Sequence, residues 1–164
     1  MAGRCSLEIK DENGEVIEME QAIEGRHAEV YQFKFGVNVS VDNISGKLTG
    51  TRQYQPLTIT KPICKASPIL FRKLCEGKKL EEAILTVYRH DPDEGDEKPF
   101  YQITLKQVSL IGITPLVRDT TVESARHVPP LEDVELIGES VTMCIVDGNI
   151  EYTDYYKTRS GLAA

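Results

Sequence analysis

Apolar residues fall on every second position through Tyr31-Gln32-Phe33-Lys34-Phe35-Gly36-Val37-Asn38-Val39. A period of two marks a half-buried strand. It sets Tyr31, Phe33, Phe35, Val37 and Val39 on one face and Gln32, Lys34 and Asn38 on the other. Leu57-Thr58-Ile59 and Ile84-Leu85-Thr86-Val87-Tyr88 read the same way, and Pro56 stands at a strand start, where proline is tolerated. Phe100 to Val108 alternates with Tyr101, Ile103 and Leu105 in phase; Leu110 then shifts the phase, which predicts a bulge eased by Gly112. Gly36 and Gly112 each interrupt an apolar strand pattern, as glycine does where a backbone bends or approaches closely. Val141 to Val146 and Ile150 to Tyr155 flank Asp147-Gly148-Asn149. Asp-Gly between two β-rich runs predicts a hairpin, because both residues tolerate positive φ.

One segment has a different period. Ser67-Pro68 offers an N-cap followed by proline at the first helical position. Ile69, Leu70, Phe71 and Leu74 form an apolar face, Arg72, Lys73 and Glu76 a polar one, and Gly77 ends the helix. Lys73, Lys78 and Lys79 suit the negative end of its dipole. Three polar stretches read as loops: Val41 to Tyr54, His90 to Pro99, and Arg118 to Asp133 with Pro129-Pro130. Many short strands and one short helix predict a mainly β fold, an antiparallel β-barrel with one short α-helix, built as a single domain over residues 1–164.

Charge and composition narrow the function. The net charge of −7 opposes binding to phosphate backbones and anionic lipid, so neither nucleic acid nor membrane insertion is expected. No apolar run approaches the ~20 residues of a membrane-spanning helix. Glu8, Asp11 and Glu12 follow the first residues closely, which leaves no signal-peptide core and predicts cytoplasmic synthesis. Cys5, Cys64, Cys75 and Cys144 lack zinc-knuckle spacing and read as free thiols. His27, His90 and His127 are isolated. The acidic run Asp91 to Glu97 holds Pro92 and Gly95 between strands and reads as a solvated turn rather than a calcium loop. No catalytic constellation, metal site or cofactor motif is expected.

The segment Pro56 to Leu70, with Lys61 in a turn and Lys65-Ala66-Ser67-Pro68 opening the helix, resembles the haemolysin-coregulated protein family, the inner-tube subunits of type VI secretion systems. His27 followed by Phe33-Lys34-Phe35-Gly36 is similar to the family's histidine and aromatic-x-aromatic-Gly strand. Phe100 to Leu105 with Val108 to Ile111, and Glu139 to Thr142 continuing through Ile150-Glu151-Tyr152, resemble its aromatic strand and closing hairpin. The matches lie in order over about residues 27 to 156.

The resemblance implies hexameric rings stacked into a hollow tube, with contractile sheath, spike and baseplate as partners. It also implies effectors in the lumen and secretion through the apparatus without a cleaved signal. It places an extended loop at Val41 to Tyr54, so Asn43, Ser45, Thr49, Thr51, Arg52, Gln53 and Tyr54 are the candidate subunit or ring–ring interface. Two rival readings stand beside it. One is a monomeric β-barrel carrier, chaperone or adaptor; the other is a small β-barrel ligand binder or enzyme. Ring formation separates the first reading from both rivals, and a polar cluster lining a closed cavity would favour the last.

Overall fold

The computed structural model describes residues 3–19, 22–23 and 27–155. Met1, Ala2 and the stretch from residue 156, parts of the leader and family readings, lie outside them. The strands are β1 (Cys5–Lys10), β2 (Ala22–Ile23), β3 (His27–Val30), β4 (Gln32–Lys34), β5 (Val37–Asn38), β6 (Gln53–Tyr54), β7 (Leu57–Pro62), β8 (Leu80–His90), β9 (Glu97–Leu116), β10 (Leu131–Ile145) and β11 (Ile150–Tyr155). The helix α1 spans Ala66–Glu76.

The main sheet runs β2-β3-β1-β8-β9-β10-β7-β4, and β11 pairs β10. All the pairings are antiparallel. The two sides of this path are joined by the chain itself. Only Tyr31 separates β3 from β4, and its amide donates to the Thr60 carbonyl of β7 at 2.9 Å. The segment from His27 to Lys34 therefore pairs β1 with its first half and β7 with its second, and the sheet curls into a nearly closed barrel. This corrects the expected strand over Tyr31 to Val39. Pairing begins earlier, breaks at Phe35-Gly36 and resumes in the separate β5–β6 pair. Phe33 and Phe35 pack partly on the core, while Tyr31 and Val37 face solvent.

The interior is filled by Leu7, Ile9, Leu57, Ile59, Leu85, Ile103, Leu105, Val134 and Leu136, all essentially buried. The predicted bulge is present: Leu136 pairs Leu110 and Glu135 pairs Gly112, which leaves Ile111 as the extra residue. Closer backbone approaches lie elsewhere, Gly138 among them. A Cβ on Gly112 would meet only the Glu135 side chain, at 3.3 Å, whereas one on buried Gly138 would lie 3.0 Å from Leu105 Cβ and 3.1 Å from the Ser140 carbonyl. The closing hairpin forms as expected, with Ile145 opposite Ile150, but its positive φ angles belong to Gly148 (83°) and Asn149 (50°) rather than to Asp147.

Helix α1 buries Ala66 and Leu70 completely and leans Leu74 on the core. Ile69 and Phe71, expected on the apolar face, are exposed. Gly77 ends the helix at φ 65°, its amide reaching the Leu74 carbonyl. The start differs from expectation. Lys65 occupies the cap position without a side-chain cap bond, and Ser67 lies inside the first turn with its hydroxyl engaged elsewhere. Lys73 and Lys78 both reach Glu12, whose carboxyl is held down at about 2 by the Lys73 hydrogen bond and a backbone amide. The third expected loop is shorter than predicted, because Leu131, Glu132 and Asp133 already belong to β10.

Candidate functional site

The expected interface loop is an ordered arm. The chain leaves the barrel at Gly36, whose carbonyl accepts the Gln55 amide at 2.8 Å, and β5 and β6 form the root between them. Further out, the Thr49 amide donates to the Ser40 carbonyl at 2.9 Å and the Asp42 amide to the Lys47 carbonyl at 2.9 Å. Val41 and Leu48 are bridged across the ribbon, so they share a face. The Asp42 carboxylate organises the tip: it accepts the Ser45 hydroxyl at 2.7 Å and the Ile44 amide at 3.0 Å. Those bonds, Ser45 first, hold its carboxyl below the usual carboxylate range. Gly46 supplies the positive φ, 68°, that closes the turn.

A clasp fixes the root to the barrel. Asp154 on β11 accepts Arg52 through both oxygens, at 3.1 Å each, and also accepts the Tyr54 hydroxyl. Burial pushes the Asp154 carboxyl up, but the Tyr54 and Arg52 hydrogen bonds outweigh it and leave the group below its ordinary value. The Tyr54 ring also packs on Phe35, with centroids 6.0 Å apart.

The seven predicted residues thus have separate roles. Arg52 and Tyr54 anchor the root, Gln53 pairs Asn38 in β6, and Ser45 builds the tip. Asn43, Thr49 and Thr51 are exposed on the arm. The residues with most to gain from a partner lie outside those seven: Ile44 is 97% exposed, Leu48 72% and Val41 48%. Their signal was present as apolar side chains inside a polar stretch. A second apolar strip lies on the closing hairpin. Met143 pairs Tyr152 and Ile145 pairs Ile150, which puts all four on one side, and all four are exposed.

Inside the fold is a polar cluster that the sequence reading did not anticipate. Lys61 is fully buried and forms an ion pair with Glu132, 2% exposed, its partner across the β7–β10 register. Glu132 also accepts the Ser67 hydroxyl at 2.7 Å, and Ser67 in turn accepts the Cys64 amide at 3.1 Å. The Lys61 amine reaches the Pro62 carbonyl at 3.3 Å and the Cys64 sulfur at 3.4 Å. Lys61 follows Leu57 and Ile59 in phase, the trace by which its inward position could have been found.

The acidic turn after β8 closes on itself. Asp91 accepts the Asp93 amide at 3.0 Å, and Lys98 pairs with Asp91 and Glu94. Among the described residues, no group of three or more His, Cys, Asp or Glu side chains could hold a metal ion. A surface cleft of about 500 Å³ lies along Glu81, Glu82, Lys106, Gln107, Glu139 and Ser140; Lys10 pairs Glu82 and Lys79 pairs Glu139 there. Among the described residues no helix is long and apolar enough to cross a membrane.

Residues 7–143 match the family described as type VI secretion system effector, Hcp. The "Major exported protein" of Pseudomonas aeruginosa is 29% identical over 113 residues, which cover 69% of this chain and 65% of that protein's length. The solved structure of a mutant Hcp1 protein from E. coli EAEC 042 is 30% identical with a TM-score of 0.82, over 94% of this chain and 99% of that one. The secreted protein Hcp3 from Pseudomonas aeruginosa, at 19% identity and a TM-score of 0.73, covers 94% of this chain and 99% of its own; it supports the fold alone.

Proposed function

Because this chain belongs to the Hcp family of type VI secretion proteins, we propose that it is a structural, non-catalytic subunit of a hollow secretion tube. In this reading residues 1–164 make one tube domain. Copies close into hexameric rings, and rings stack inside a contractile sheath. The lumen carries effector proteins, and spike and baseplate proteins start assembly. The subunit is made and assembled in the cytoplasm and leaves through the apparatus without a cleaved signal.

The arm carries the proposal. A solvent loop gains nothing by presenting Ile44 at 97% and Leu48 at 72% exposure on a hydrogen-bonded ribbon. Clustered apolar surface of this kind favours burial against a partner. A closed ring also needs a head-to-tail contact between unlike surfaces. The exposed strip at Met143, Ile145, Ile150 and Tyr152 offers apolar area for one side of it.

The test is negative-stain electron microscopy with sedimentation, at moderate and low salt, on the wild-type chain and an Ile44→Ser/Leu48→Ser variant. The wild type is expected to form rings and short stacks with a central hole, and low salt to weaken stacking because each copy carries −7. The variant should lose stacks while keeping its thermal melt. Stacks undiminished in the variant would remove the arm from the assembly, and a wild type monomeric at every concentration would favour the carrier or adaptor reading.

A further inference from the structure

The buried cluster at the start of α1 places an amine against a thiol. Lys61 Nζ lies 3.4 Å from Cys64 Sγ, and the amine is fully enclosed while the sulfur is half-buried. The lysine stem is held by the β7–β10 register and by its ion pair with Glu132. The cysteine is held from the other side, its amide bonded to Ser67 Oγ at 3.1 Å. The two reacting atoms are thus preset by separate anchors, and Cys64 as a residue is only half-buried. Cys75 is exposed on the helix and Cys5 Sγ is directed at the Gly3 carbonyl; among the described residues, neither sulfur is hydrogen-bonded to a lysine amine.

We propose that Cys64 is a peroxide-sensitive modification site, at which the oxidised sulfur is captured by the Lys61 amine as a sulfenamide. In the first step the thiol attacks hydrogen peroxide. The O–O bond breaks, the sulfur is oxidised by two electrons to a sulfenic acid, and the peroxide is reduced to water. The ammonium 3.4 Å away offsets negative charge on the sulfur during this attack. In the second step the Lys61 ammonium gives one proton to Glu132, and the nitrogen lone pair attacks the sulfur. The S–O bond breaks, and the hydroxide leaves as water with a second proton from the nitrogen. An S–N bond remains, beside a neutral Glu132 carboxylic acid. The atoms must close by about half their separation, which rotamer changes of a four-carbon stem and a cysteine allow.

The environment favours capture over further oxidation. Lys61 is fully buried, so little water accompanies it, and its nitrogen already lies 3.4 Å from the sulfur. The product also carries no charge. A buried ion pair, whose desolvation is costly, becomes a neutral covalent link between β7 and the turn that starts α1. Two equivalents of an added thiol reverse it, restoring amine and thiol and leaving a disulfide of the reductant.

The test uses the full folded chain treated with hydrogen peroxide, then digested with trypsin and read by tandem mass spectrometry. Trypsin does not cut between Lys61 and Pro62, so the 53–65 peptide holds both partners. The expected product is that peptide lighter by two hydrogens, without backbone fragments from cleavage between residues 61 and 64, and returned to its original mass by dithiothreitol. Cys64→Ser should abolish it and Cys75→Ser should leave it intact. Three results would overturn the proposal. One is a lighter peptide that still fragments between residues 61 and 64, which places the bond on a neighbouring backbone amide. Another is sulfinic acid as the sole product at Cys64, and the third is oxidation confined to the other cysteines.

Discussion

Replacing Glu132 with glutamine tests the buried pair directly. Glu132 is 2% exposed and Lys61 fully buried, so the lysine has no water to turn to when the carboxylate is lost. Removing one partner of a buried pair costs about 3–5 kcal/mol, because the other charge stays buried without compensation. Glutamine keeps the length and an acceptor oxygen for Ser67 and Lys61, which sets the expectation at the lower end, about 3 kcal/mol. For a urea slope of about 1–3 kcal/mol per molar, the midpoint falls by about 1–3 M. The assay is urea unfolding followed by far-ultraviolet circular dichroism, with protein concentration and salt held fixed so that any assembly contributes equally. The companion is the double replacement Lys61→Met/Glu132→Leu. It removes both charges and should return stability to within about 1 kcal/mol of wild type. An unchanged midpoint and slope for Glu132→Gln would refute the reasoning.

Two further expectations follow from the barrel and the arm. Gly138→Ala forces a Cβ to 3.0 Å from Leu105 Cβ and 3.2 Å from the Lys106 carbonyl. It should cost about 1–3 kcal/mol in a thermal melt, while Gly112→Ala, which meets only the Glu135 side chain, should be silent; equal melts for the two would contradict the packing. Asp154 has a lowered carboxyl value, so its contribution is present above the unfolded value near 4 and is lost as pH falls through the folded one. Asp154→Asn should speed exchange of the Gln55 amide at the arm root at neutral pH without changing the barrel amides, and exchange as slow as wild type would dismiss the clasp.

The hairpins were legible because their information is local. Alternation in Ile84 to Tyr88, in Phe100 to Val108 and around Asp147-Gly148 reports on residues that pair with their sequence neighbours. The run from Tyr31 to Val39 misled for a physical reason: its alternation is real, but the chain leaves the barrel at Gly36 to build the arm, so one pattern serves two sheets. Ser67 looked like a helix cap because its hydroxyl's partner, Glu132, is 65 residues away. Glu132 itself looked like loop because Pro129-Pro130 precedes it. Of the arm, the position and the polar residues were readable. Which of them spend their hydrogen bonds internally was not, since Asp154 lies about a hundred residues from Arg52.

The bend at Tyr31 imposes an order on synthesis. Strand β1 waits for β8, and β4 for β7, whose other neighbour is β10. As the chain emerges, its early strands therefore hold unpaired edges until most of the sequence has been made. Such edges are where nascent chains misassociate. If copies assemble as proposed, the nascent chain passes through a stage in which it would meet them too soon. That exposure ends when β8 covers the second edge of β1 and β10 the second edge of β7.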